Sequence, residues 1–379
     1  MEKKNNSEKR NFEDLRVALV HDFLVQRGGA EKVLEGISEI FPEAPVYTLL
    51  YDKEKMRGMF EDRDIRPSYL QKLPAFLRKR YRWLLPFLPV IPETWDLRDF
   101  DLIISSSGAW SKGIITKLDT KHVAYVHSPM RFVWDYNERY LREKKIRSSV
   151  FKRLIFSYLR IWDRLAADRP DHLIANSEHT KKQIEKYYRR ESAVIYPPVE
   201  FKSVADDGSL EKIKDYFLVV SRLSGYKKTD IVVEAFNKLG LPLIVIGEGE
   251  QEGYLRKISQ SNVKILGWKS DEDLARYYAK ARALIFASED DFGIVPVEAM
   301  GHGVPVVALR KGGVLETVTE GFSGEFFDAP TPEVLADGVR RFLEKEKIYD
   351  RGDIRKAAQR FSKERFKKEF EEFIRSCGV

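Results

Sequence analysis

The chain is predicted to be an α/β protein made of two doubly wound, parallel-sheet domains. Three features predict this: a length of 379 residues, two series of short apolar runs alternating with helical stretches, and a polar break between the series. The first series reads as strands over Val17–Phe23, Val46–Leu50, Leu102–Ser106, Val123–His127, His172–Asn176 and Ala193–Tyr196. The second reads as strands over Phe217–Ser221, Leu243–Gly247, Val263–Leu266, Ala283–Ala287 and Pro305–Leu309. Near-continuous apolar strands separated by helices imply parallel sheets covered on both faces. Eleven strands in two series suit two sheets better than one. The break runs from Pro197-Pro198 to Lys214, with Asp206-Asp207-Gly208-Ser209 as a polar linker. The expected layout is a disordered lead-in over 1–14, a first domain over 15–200 and a second over 201–353. A last helix of about Ile354 to Arg375 is marked by Phe361, Phe366, Phe370 and Phe373.

Bulk properties narrow the function classes. Cys377 is the single cysteine, which excludes an internal disulfide and a cysteine-based zinc site and suits a reducing cytoplasm. No apolar run approaches the roughly 20 residues of a membrane span. The charged N-terminus lacks the apolar core of a signal peptide. The formal net charge is +7, and basic residues cluster between Arg63 and Arg82 among Tyr69, Leu70, Phe76 and Tyr81, before the apolar run Trp83–Ile91. Such a segment suits an anionic membrane surface or a solvated helix packed on the core, and least a nucleic acid.

The most informative stretch is ASEDDFGIVPVEAMGHGVPVV, from Ala287 to Val307. It reads as a strand end, the acidic turn Ser288-Glu289-Asp290-Asp291, a glycine turn at Gly293, and a helix carrying Pro296 in its first turn and Glu298 within. His302-Gly303 and Pro305 end that helix. Carboxylates at a strand's C-terminal end, next to free N–H groups at Gly293-Ile294, suit a sugar and a phosphate together. An acidic surface turn would look the same in isolation. Arg222 and Lys227, five residues apart just past a strand, are able to converge on a diphosphate. Gly28-Gly29 precede a helix opened by Glu31; this is not the dinucleotide fingerprint, but it allows close approach of backbone to a ligand. In His122–Asp135 a strand runs into His127-Ser128-Pro129, followed by Arg131 and Trp134. Gly247-Glu248-Gly249 and Gly267-Trp268 each follow a strand.

Together these motifs resemble the retaining GT-B glycosyltransferases, specifically family 4. That family's acidic signature has two carboxylates separated by seven residues, with Phe-Gly soon after the first. Glu298 matches the second; the position eight before it is Asp290, with Glu289 one residue earlier as its alternative. The resemblance implies that Arg222 and Lys227 bind the donor's diphosphate, with Lys228 the adjacent alternative. It implies that Glu298 binds the ribose, that Asp290 or Glu289 orients sugar hydroxyls, and that His127 touches the donor sugar's hydroxymethyl edge. Gly28, Gly29, Gly247, Gly267, Gly293 and Ile294 would lie along the donor. The His-x-Pro-x-Arg-aromatic-x-Trp-Asp pattern resembles a bacterial subgroup that moves sugars, often mannose, onto lipid-linked glycans, with Arg131 on the acceptor side. The last helix would cross back to the first domain, and the site would lie between the two domains.

The implied activity is transfer of a hexose, mannose from GDP-mannose by preference, onto a saccharide or lipid-linked saccharide, with no cofactor and no metal. The expected location is cytoplasmic, on the inner face of the membrane where an anionic surface is available, with no nucleic-acid partner. Two rivals stand beside this: a nucleotide-sugar epimerase with two similar halves, and a non-enzymatic basic binding protein using Arg63–Ile91. Acceptor-dependent release of a nucleoside diphosphate separates the transferase from both.

Overall fold

A computed structural model describes residues 14–78, 80–134, 150–201 and 215–378. Most of the expected lead-in, Lys79, Asp135 and the Asp206–Ser209 linker lie outside the described residues. The chain divides into two compact units, Met1–Pro198 with Glu364–Val379, and Val199–Lys363.

In the first unit, Val17–His21 (β1), Val46–Thr48 (β2), Ile65–Pro67 (β3), Leu102–Ser107 (β4), Lys121–Val126 (β5), His172–Ala175 (β6) and Ala193–Val194 (β7) form one sheet. Its order is β3-β2-β1-β4-β5-β6-β7, and every pair is parallel. In the second, Phe217–Val220 (β8), Leu243–Ile246 (β9), Val263–Ile265 (β10), Ala283–Phe286 (β11), Val306–Leu309 (β12) and Gly324–Phe327 (β13) are ordered β10-β9-β8-β11-β12-β13, again all parallel. Counted from its own first strand, each sheet begins 3-2-1-4-5-6, the doubly wound order whose ligand crevice opens at the strands' carboxyl ends. β1, β4, β8, β9 and β11 are buried almost throughout, as covering helices on both faces require.

The longer helices are Gly29–Ile40 (α1), Val150–Ala166 (α2), Glu178–Tyr188 (α3), Thr229–Leu239 (α4), Glu252–Ile258 (α5), Asp271–Lys280 (α6), Ile294–Gly301 (α7), Pro332–Lys345 (α8), Arg351–Ala358 (α9) and Lys363–Ser376 (α10). On α10, Phe366, Phe370 and Ile374 recur every four residues, so they share one face. They join Val33, Leu34 and Ile37 of α1 in the first unit's core, and Lys367 pairs with Glu39 of α1 at 2.5 Å.

Two expectations are corrected. The single helix from about Ile354 to Arg375 is in fact α9 and α10, parted by the tight turn Gln359–Phe361 and an extended Ser362. Phe361 therefore stays in the second unit, fully buried with its ring 5.5 Å from that of Phe292. The strand series also omits β3 and β13, both at sheet edges. β3 carries Arg66 and Pro67 in only three residues. β13 begins at a Ser-Gly step that reads as a turn and includes Glu325, whose charge is met by Lys345 at 3.1 Å and by the Tyr349 hydroxyl at 2.6 Å.

Candidate functional site

The second unit gathers most of the residues expected on the donor side at the carboxyl ends of β8, β9 and β11. After β8, Lys227 turns back so that its Nζ meets Asp290 Oδ2, in the turn after β11, at 2.5 Å. Both side chains are largely shielded, at 15% and 19% exposure. Lys227 is thus a partly buried, ion-paired lysine. Glu289, one residue away, is exposed, and Asp290 is the carboxylate that meets Lys227. The Arg222 guanidinium donates to the Tyr226 hydroxyl at 2.7 Å and lies over that ring.

Beyond the acidic turn, α7 starts at Ile294, and its N-cap, Gly293, supplies no side-chain cap. The first-turn N–H groups of α7 are not satisfied by a capping side chain, and the helix dipole adds partial positive charge there. Glu298, in the same helix, accepts from the Tyr278 hydroxyl at 3.1 Å, and the Tyr278 ring stacks on His302 with centroids 5.4 Å apart. Burial, and then the charge of Glu298, push the Tyr278 hydroxyl well above its ordinary range. It therefore stays a donor that fixes the direction of the Glu298 carboxylate.

The loops after β9 and β10 lie side by side: Gly247 N–H donates to Gly267 O at 2.8 Å. Gly247 has φ +142, and a Cβ there would stand 1.8 Å from Ser221 O, so only glycine lets the β9 loop pass the end of β8. One element escaped the sequence reading. Gly312-Gly313, after β12, press on the acidic turn; Gly313 N–H donates to Asp290 O at 2.9 Å, and a Cβ on Gly313 would meet Asp291 O at 2.2 Å. Their signal was available, as paired glycines between a buried strand and the short helix Val314–Thr317.

In the first unit, His127 follows β5. Its Nε2 meets Ser106 Oγ at 2.7 Å, its N–H donates to Ser107 O, and its carbonyl accepts from Asn176. Burial, with the neighbouring His21 second, pushes the imidazole down to about 3, so it is neutral near pH 7. Gly28 caps α1 and Gly29 opens it. Arg131 lies in the turn after the His-Ser-Pro step, partly exposed.

Two carboxylates, Asp22 partly buried and Asp163 fully buried, brace this region. Asp22, just past β1, accepts four backbone N–H bonds from Gly108, Ala109, Trp110 and Ser111, at 2.6–2.9 Å. Asp163, on α2, pairs through Oδ1 with Lys112 Nζ at 2.5 Å, both fully buried. Its Oδ2 accepts from the Trp134 indole and the Tyr188 hydroxyl, both at 2.8 Å. Trp134 in the sequence motif therefore has a bracing role.

Known proteins resemble this chain in sequence and fold. The model described as Glycosyltransferase Family 4 matches residues 27–202, and that described as Glycosyl transferases group 1 matches residues 204–363. An uncharacterized glycosyltransferase of Methanocaldococcus jannaschii is 23% identical over 334 residues, covering 85% of this chain and 86% of its own length. The D-inositol 3-phosphate glycosyltransferase of Mycolicibacterium smegmatis is 26% identical over 210 residues, covering 49% of this chain and 48% of its own. Among solved structures, Anabaena HepE in complex with UDP-glucose superposes with a TM-score of 0.71 at 20% identity, covering 95% of this chain and 99% of that one. The chain is accordingly a glycosyltransferase of GT-B fold, of the family 4 type.

Proposed function

We propose that the chain transfers a hexosyl group, with retention and without a divalent metal, from a sugar nucleotide to a saccharide or lipid-linked saccharide. The observation that carries the reading is Lys227 held against Asp290 beside the uncapped start of α7. A cation and free N–H groups at the sheet's carboxyl end suit a departing diphosphate, and a carboxylate beside them suits sugar hydroxyls. In the step itself, the bond between the anomeric carbon and the diphosphate oxygen breaks and its electron pair leaves with the diphosphate. The acceptor oxygen bonds to the same face of that carbon, and the acceptor's proton passes to the departing phosphate. Arg222, Lys227 and the α7 N–H groups offset the growing negative charge; Glu298 holds the ribose and His127 the sugar ring.

GDP-mannose is the preferred donor on the subgroup resemblance around His127 to Trp134. The UDP-glucose complex of HepE keeps uridine donors in the comparison. The test supplies GDP-mannose, UDP-glucose and UDP-galactose with EDTA present, with and without a lipid-linked saccharide. Acceptor-dependent release of nucleoside diphosphate and an unchanged anomeric configuration are expected. A rearranged sugar released without acceptor, or an absolute metal requirement, would overturn the reading.

The same reading places the enzyme on an anionic bilayer. Among the described residues no helix is long and apolar enough to cross a membrane. However, Trp83, Phe87 and Val90 in Tyr81–Thr94 and Leu154, Ile161 and Leu165 on α2 are all at least half exposed. Their inward neighbours Leu88, Ile91, Phe156, Leu159 and Trp162 share one core cluster, so both apolar edges turn away from the same core. Arg78, Arg80, Arg153 and Arg164 add positive charge beside them. Replacing Phe87 and Ile161 by Ser is expected to cut partition onto phosphatidylglycerol vesicles about 10²-fold or more, on the scale of two lost apolar anchors. Turnover of a short soluble acceptor should be unaltered. Unchanged partition would rule the surface out.

A further inference from the structure

A chain of buried polar side chains leads away from His127 into the first unit. His127 Nε2 lies 2.7 Å from Ser106 Oγ, Ser106 Oγ lies 3.0 Å from His21 Nδ1, and His21 Nε2 faces Glu31 Oε1 at 3.7 Å. His21, Glu31 and Ser106 are each under 5% exposed. The elements that meet here are far apart in sequence: His21 ends β1, Ser106 lies in β4, Glu31 is in the first turn of α1, and His127 follows β5. Gly28 makes room for the last link, since a Cβ there would stand 3.0 Å from Glu31 Oε2. Acidic residues often complement a helix start, but this one is turned inward against an imidazole.

We infer that Glu31, acting through His21 and Ser106, is a positioning residue that fixes which nitrogen of His127 carries its proton. The first link, at 3.7 Å, is an electrostatic contact, and the rest follows from donors and acceptors. An ionised carboxylate only accepts, so it favours the proton of His21 on Nε2. A singly protonated His21 then has a bare Nδ1, which must accept the Ser106 hydroxyl proton. That hydroxyl has only one proton, so toward His127 it presents a lone pair and requires Nε2–H there. His127 is neutral, so its Nδ1 is left bare. His127 thus offers an acceptor, suited to a sugar hydroxyl, from the ring nitrogen that Ser106 does not hold. The four N–H bonds to Asp22 tie the neighbouring carboxylate to the 108–111 turn, which leaves Glu31 as the acid facing His21.

A carboxamide at position 31 can donate as well as accept, so it no longer dictates the direction. With Gln donating to His21 Nε2, every proton in the chain reverses and His127 Nδ1 becomes a donor. This inference rests on the reading of His127 as a sugar-contacting residue, but its test needs no turnover. Histidine-labelled protein is examined by two-bond ¹⁵N–¹H correlation, with His127 assigned by the loss of its signals in His127→Gln. Wild type is expected to show the Nε2–H form, and Glu31→Gln to show a substantial Nδ1–H population. In Ser106→Ala the link is cut, so adding Glu31→Gln should cause no further change, which a merely structural role of Glu31 would not predict. In donor turnover, Glu31→Gln should lower kcat on the order of 10- to 100-fold with little change in KM, as for other groups that orient a working histidine. An Nδ1–H wild type, or an unchanged tautomer in Glu31→Gln, would overturn the inference even if that variant folds poorly, because the wild-type spectrum stands alone. Absent turnover in wild type with the expected tautomer would instead count against the glycosyl-transfer reading.

Discussion

Lys227→Ala is expected to lower donor kcat/KM by about 10²-fold or more, the scale of losing one preorganised electrostatic donor. The leaving diphosphate gains charge as the glycosidic bond breaks, so a cation there is worth more in the transition state than in the bound donor. The Asp290 contact adds a second consequence. With the two side chains 2.5 Å apart, Lys227 is aimed and partly neutralised by its partner. Asp290→Asn should therefore slow turnover while tightening the nucleoside diphosphate product, because Lys227 then faces it without competition. Glu289→Gln should change neither, since Glu289 is exposed. The Lys227–Asp290 double variant should depart from additivity, because both act on one group. Lys227→Ala should also cost a modest stability of about 1–2 kcal/mol, for it leaves a partly buried carboxylate without this partner. Turnover is measured with EDTA present, and product affinity by calorimetry. Full activity in Lys227→Ala would end the diphosphate assignment.

The largest effect on stability is expected from Asp163→Ala. It removes the partner of Lys112, whose side chain is fully buried, together with the acceptor of Trp134 and Tyr188. An uncompensated buried ammonium costs about 3–5 kcal/mol, much more than the intact pair contributes. Asp163→Leu combined with Lys112→Met, which removes both charges, should recover much of that loss. Five of the six tryptophans lie in the first unit, so urea unfolding followed by tryptophan emission reports mainly on that unit. A midpoint for Asp163→Ala equal to wild type would contradict the argument.

The parallel architecture was legible because buried strands such as β1, β4, β9 and β11 are nearly all apolar, which single-strand reading detects. β3 and β13 were not legible, because edge strands are short and tolerate Arg66, Pro67 and a paired Glu325. On the site, Lys227, Asp290 and Glu298 were named from the resemblance of their motifs to the family's. Their partners were not: Tyr278, Gly313 and the Lys227–Asp290 contact depend on which strand lies beside which. Glu31 read only as the opening of a helix, because its target, His21, precedes it across the Gly28-Gly29 turn, and Ser106 and His127 join only through the sheet. Asp163 had no visible signal at all; a lone acid on a basic, apolar helix acquires meaning only from Lys112, brought to it by the fold.

The two sheets share one strand order, so β4 in the first and β11 in the second occupy equivalent places, each beside its sheet's first strand. After β4, the four amides of Gly108 to Ser111 converge on one point, and Asp22 from β1 already fills it. After β11, the start of α7 has no such internal occupant from a capping side chain. A free phosphate arriving at the first unit would have to evict a tethered carboxylate whose effective concentration no solute matches. At the second, the cap residue Gly293 has no side chain to take that place. The first unit thus fills with its own chain the place where amides after its fourth strand would meet an anion. Asp22, by holding the amides of that turn for itself, keeps an outside anion from the first unit's loop.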